Sequence, residues 1–178
     1  MLKIFKIIKT KIQENRLERE IEKHLDALDE AYEILISNRP LSLWYKWDVE
    51  KYELLYDRVV EHDIDKFLGR NFDAYRAYLY PVDAEEKEKA RLKFEKTVEI
   101  HKKQNRHHWE ARVKDDDGEM TEQQELDCLE EVLDMMARMK EKSLDYFLGF
   151  KNNMNIPQNQ KDFIERVLFN IYKDGEVE

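Results

Sequence analysis

Turn-forming residues are scarce. The chain of 178 residues has four glycines and three prolines, too few for the turns that a sheet requires. Cysteine occurs once, as Cys128, so no intramolecular disulfide can form, and no hydrophobic run is long enough to span a bilayer. A reducing, cytoplasmic compartment is the expectation. Excess positive charge is lacking as well: 31 Lys and Arg stand against 40 Asp and Glu, for a net charge of −9. That balance argues against a broad nucleic-acid-binding face and leaves room only for a local basic patch.

What fills the chain is Leu, Glu, Lys, Met and Ala at three- and four-residue steps, the period of an amphipathic helix. The class is all-α, and the length suits a single domain over residues 1–178, a bundle of about six helices. The first helix is expected from Leu2 to about Ile36, with Leu17, Ile21, Leu25, Leu28, Tyr32 and Leu35 as its stripe and His24 inside it. Residues 1–16 form a basic amphipathic segment, in which Leu2, Phe5, Ile8 and Ile12 alternate with Lys3, Lys6, Lys9 and Lys11. The lysines interrupt any signal-peptide core. An ordinary first helix packing on the body or on a partner is expected, a second copy included; a membrane-surface helix is the functional alternative.

Residues 37–47 read as a connector folded onto the body, followed by a helix from about Val49 to Leu68. A short helix spans about Phe72 to Leu79. Asp83 is placed to cap a long helix through His108, with Leu92, Phe94, Val98 and His101 on or near its inner face. Thr121 and Gln124 have capping-box spacing for a helix to about Phe150. A last helix covers Asp162 to Tyr172, and the tail after it should fray.

Three of five histidines fall in EIHKKQNRHHWEA, residues 99–111. Positions seven apart return to nearly the same helix face, since successive residues turn by roughly 100°. Thr97, His101, Asn105 and His108 would then form one polar line, with His107 pointing elsewhere. In EHDIDKF, His62 and Asp63 are neighbours and Lys66 is one turn on. An imidazole and a carboxylate suit a divalent first-row metal, which can acidify a bound water, and Lys66 is placed to neutralise an anionic substrate. Taken together, His24, His62, Asp63, His101 and His108 occupy inward positions on three helices that a bundle can bring to one point. A carboxylate from the fourth long helix is less clearly marked. Leu129, Val132, Leu133 and Met136 define its core side, so Asp134 lies near the edge, and Asp127, Glu130, Glu131 and Asp134 read as a solvated acidic face. KDDDGEM does not complete a calcium loop, because Val113 and Gln124 stand where ligands are needed. Cys128 reads as a packing residue.

The run HDIDKF, the aromatic NFDAYRAYLY, IHKKQNRHHWE and the acidic EEVLD together resemble a family of small bacterial and phage proteins catalogued as a domain of unknown function. Its members read approximately HD-[LI]-x-K-F, H-x-x-x-N-x-H-H-W and E-x-x-x-D-W. The resemblance covers a motif-bearing core, residues 61–172, and reaches the first helix only through His24. Met135 replaces the tryptophan of the last motif, and Arg106 replaces a proline often found before the paired histidines, which leaves His107 and His108 as alternative ligands. The order of elements is also similar to the HD superfamily of metal-dependent phosphohydrolases. That similarity implies His24, His62, Asp63 and Asp134 as a basic ligand set. It further implies His101 and His107 or His108 as ligands of a second metal, or as phosphate contacts.

The resulting expectation is an HD-like hydrolase of a nucleotide or another small phosphorylated molecule, working through a metal-bound water. Asp63, Lys66 and His101 would carry catalysis, and manganese, iron, nickel, cobalt or zinc would be the cofactor. The alternative is a non-catalytic binding or interaction protein that uses the same histidine-rich pocket.

Overall fold

The computed structural model describes residues 2–37, 49–139 and 143–173. These form seven α-helices: α1 (Leu2–Ser37), α2 (Val49–Val60), α3 (Gly69–Leu79), α4 (Ala84–Gln104), α5 (Glu122–Arg138), α6 (Leu144–Asn152) and α7 (Gln158–Lys173). Two short 3-10 turns, Ile64–Phe67 and Trp109–Ala111, join them, and there is no strand among the described residues. The fold is an all-α, single-domain bundle. None of its helices is long and apolar enough to cross a membrane among the described residues.

Helix α5 is the axis of the bundle. It packs on α1, α2 and α7, with α6 laid against α7 and the α3–α4 pair against α1. Its start is fixed by a complete capping box, in which Gln124 N donates to Thr121 Oγ1 and Thr121 N donates to Gln124 Oε1 at 2.8 Å. Asp83 caps α4 as expected, accepting from Glu86 N at 2.8 Å, and Ser143 caps α6. Ala27, Leu28, Ala31 and Leu35 of α1 join Leu55, Val59, Leu129, Val132, Leu133, Phe147, Phe163, Ile164 and Leu168 in the main core. Each large side chain so buried contributes on the order of 1.5–3 kcal/mol. A smaller cluster of Leu17, Ile21 and Tyr75, with Phe67, Phe72, Phe94 and Val98 against it, ties α1 to α3 and α4. His24 lies on α1 in the interval between the two clusters.

Several boundaries differ from expectation for local reasons. The helix expected over Val49–Leu68 stops at Val60, because Asp63 adopts a left-handed backbone with φ 60°. Its continuation is a 3-10 turn, and α3 starts at Gly69, itself at φ 39°, rather than at Phe72. The helix expected to reach His108 ends at Gln104, where Asn105 becomes extended and its side-chain Nδ2 donates to the His101 carbonyl at 2.9 Å. The helix expected to run to Phe150 ends at Arg138 and resumes as α6, and α7 begins at Gln158, before Asp162. Ile12 is 47% exposed. The expected stripe and lysines at positions 2–8, the connector after Ser37 and the tail after Lys173 lie outside the described side chains.

Candidate metal centre

The break after α2 places the HD pair on a turn. His62 N donates to the Val59 carbonyl, Ile64 N to Glu61, and Lys66 N to the Asp63 carbonyl at 2.8 Å, so the turn is closed by backbone bonds on both sides of Asp63. A non-glycine residue in the left-handed region costs on the order of 1–3 kcal/mol. That cost holds His62 and Asp63 side by side, both buried, with Lys66 on Asp63 Oδ2. His62 Nε2 lies 3.5 Å from Asp63 Oδ2 and 3.5 Å from Asp134 Oδ1.

The second break, at Asn105, turns the paired histidines back into the bundle. His107 does not point elsewhere: it is buried at 3% exposure, with Nδ1 3.1 Å from Glu130 Oε1 and Nε2 3.8 Å from Asp63 Oδ1. His108 also returns, its Nε2 2.9 Å from His101 Nε2. His101 Nδ1 faces the Asp65 carboxylate at 2.9 Å, which leaves Nε2 toward Asp63 Oδ1 at 3.0 Å.

From α1, His24 Nε2 reaches Asp134 Oδ1 at 3.0 Å and Asp63 Oδ2 at 3.9 Å. The acids of α5 are not a solvated face. Asp127, Glu130, Glu131 and Asp134 are all buried, and each is paired with an arginine, three of the four from outside the helix. Arg58 donates to Glu130 Oε2 at 2.7 Å and to Asp127 Oδ1 at 2.6 Å, Arg106 to Asp127 Oδ2 at 2.6 Å, and Arg138 Nε to Asp134 Oδ1 at 2.7 Å. Arg112 pairs with Glu131. Burial of charge is tolerated only with such pairing.

Every residue expected at the site is thereby brought to one place, with Lys66 at the rim. Two ligand sets result, His24, His62 and Asp134 on one side and Asp63, His101, His107 and His108 on the other, each with donor atoms within 4.8 Å of one another. Nitrogen and carboxylate oxygen together suit a divalent first-row cation. The buried Nε2 atoms of His62 and His107 have no hydrogen-bond partner, which is what ligand atoms look like when their other ring nitrogen is held by a carboxylate.

The electrostatics are those of a site built around negative charge. Burial opposes ionisation of Asp63, Glu130 and Asp134, yet imidazoles and the basic side chains of Lys66, Arg58 and Arg138 hold all three well below the usual carboxylate range. Burial also opposes protonation of His62, but Asp134, Glu130 and Asp63 outweigh it and push its pKa up to about 9. His107 and His108 go the other way, lowered first by burial and then by neighbouring histidines, although Glu130 favours protonation of His107. A proton on His62 thus supplies part of the positive charge that the carboxylates call for.

The model of DUF5662, a family of unknown function, matches residues 13–170, a span that contains every converging residue. The chain belongs to that family. No curated protein and no solved structure matches it. In this DUF5662 protein, sequence reasoning assigned no role to Glu130, Asp65, Arg58 or Arg138. A signal existed for the first: Asp127, Glu130 and Asp134 recur at helical spacing on a segment whose other positions are mostly apolar, and Arg58 and Arg106 from outside the helix and Arg138 at its end supply partners. Cys128 is a packing residue, as expected, fully buried with its thiol pushed up to about 11 by that burial.

Proposed function

We propose that this protein is a divalent-metal-dependent phosphohydrolase of HD type, acting on a nucleotide or another small phosphorylated molecule in the cytoplasm. The observation that carries the reading is the convergence of the two ligand sets on Asp63, with buried, unpartnered imidazole nitrogens on either side of it. A divalent cation supplies hydroxide near neutral pH and offsets charge on a phosphoryl group. His24, His62 and Asp134 hold one ion, and His101, His107 and His108 hold a second. Asp63 serves both, since its two oxygens face different sets.

The remaining chemistry falls to the rim. Lys66 contacts Asp63 Oδ2, and Arg138 Nη2 lies 3.9 Å from the same oxygen. Arg138 is 43% exposed along its side chain while its Nε stays fixed on Asp134. The pair forms a positive edge that binds phosphoryl oxygens and orients the ester bond toward the buried carboxylates.

The test is metal content by plasma mass spectrometry on protein without a histidine tag, for wild type, His62→Ala and Asp63→Ala, followed by hydrolysis of p-nitrophenyl phosphate and bis(p-nitrophenyl) phosphate. Stoichiometric manganese, iron, cobalt, nickel or zinc that disappears in both variants, together with turnover of either ester, is the expected result. Metal without turnover of these or of a nucleotide panel would make the protein a binder. A wild type that takes up no metal, even after incubation with each cation, would overturn the reading.

A further inference from the structure

Between the two ligand sets sits one carboxylate that belongs to neither. Glu130 is 5% exposed, and its Oε1 lies 3.1 Å from His62 Nδ1 and 3.1 Å from His107 Nδ1. His62 belongs to the set of His24 and Asp134, and His107 to the set of Asp63, His101 and His108. One oxygen atom therefore faces a histidine of each. A carboxylate oxygen carries two acceptor sites, so it can accept from both Nδ1–H groups at once. When a cation replaces any proton on Nε2, that holds each ring in the tautomer whose lone pair is on Nε2, and both Nε2 atoms are buried without a partner.

Glu130 is held rigidly in turn. Arg58 Nε donates to its other oxygen at 2.7 Å, Arg58 Nη2 donates to Asp127, and Asp127 is gripped from its far side by Arg106. The same guanidinium argues against a third ion bound by His62, His107 and Glu130 themselves, a set that is also close enough to be considered. A cation there would lie beside the charge of Arg58, and it would displace the two protons that Glu130 accepts.

We propose that Glu130 is a positioning residue common to both ion sites, which orients and polarises one imidazole ligand of each and so links their affinities. Asp65 does the same for His101 alone, from 2.9 Å. The inference rests on the metal-centre reading above, and its test separates the two. Zinc is titrated against a chromophoric chelator into the full-length wild type, Glu130→Gln and Asp65→Asn, each checked for fold by circular dichroism and thermal melting. The wild type binds two ions. Glu130→Gln weakens both by about 10- to 100-fold, whereas Asp65→Asn weakens only one to that extent.

Two unchanged affinities in Glu130→Gln would overturn the proposal and leave the metal centre standing. So would loss of one ion outright with the other at wild-type affinity, since Glu130 would then be a ligand. A wild type that binds no zinc would overturn the centre and the role of Glu130 together. Because Glu130→Gln removes one of the two carboxylates that pair with Arg58, the zinc-loaded wild type supplies a second readout in long-range nitrogen-15 spectra of the histidine rings. His62 and His107 are both expected to carry the proton on Nδ1 with Nε2 bound to zinc, and a proton on Nε2 of either would overturn the proposal.

Discussion

Helix α5 carries two buried polar clusters that differ in one respect. Around Arg112, fully buried, a guanidinium meets Glu131 and donates to Cys128 Sγ at 2.8 Å, and the atom left without a partner is a donor, Arg112 Nε. Around Glu130 one donor, Arg58 Nη1, is also left over, but with it stand the Nε2 nitrogens of His62 and His107, unpartnered ring atoms that the first cluster lacks. A guanidinium N–H cannot hold a cation, whereas an imidazole nitrogen that gives up its proton can. The first cluster reads as architecture and the second as a site, although both are equally buried on the same helix.

That contrast breaks most sharply at Asp63. Asp63→Asn keeps the side-chain shape and a residue type that tolerates the left-handed backbone, so the fold should persist while ester hydrolysis and metal uptake in both sets are lost; mass spectrometry and a thermal melt on one sample check this. The Arg112 cluster should answer in the opposite sense. Arg112→Met strands Glu131 in the interior and should cost about 3–5 kcal/mol of stability, read by chemical denaturation, with the metal-to-protein ratio unchanged.

The histidine cluster should also give metal-free protein a pH profile with two limbs. His62 is raised to about 9 in the fold, so its contribution is complete below its unfolded value near 6.5 and is lost as pH rises through about 9. His107 and His108 are lowered, so theirs is complete above about 6.5 and is lost as pH falls. Melting temperature should therefore peak near pH 6.5 without metal. Saturating zinc should lift the alkaline limb, because the ion needs neutral imidazole. The smallest expected effect lies outside both clusters. Thr121→Ala removes the cap of α5 and should cost about 1 kcal/mol, with metal content and ester hydrolysis as in the wild type.

How much could be read beforehand follows from the same physics. His24, His62 and His101 were visible because helical spacing puts them among apolar residues, and the caps at Asp83 and Thr121 because short polar side chains at helix starts have a local cause. The break at Asp63 was not visible, and the one at Asn105 was left open. A left-handed aspartate leaves no mark on hydrophobic periodicity, and helical spacing continues through Arg106 with no glycine or proline to mark the turn that brings His107 inward. The acids of α5 were misread because a carboxylate is buried or exposed according to partners such as Arg58 and Arg106, which lie about 70 and 20 residues away in sequence and cannot be found by looking along one helix.

The left-handed turn at position 63 sets stability against selection for activity. Glycine would occupy that backbone without strain but would leave Lys66 and His101 without the carboxylate they pair with, so a library varied at this codon and sorted only for resistance to protease weighs backbone relief against lost pairing. The same library sorted for ester hydrolysis should return aspartate alone, and the gap between the two sorts would measure the net folding free energy of keeping a carboxylate there.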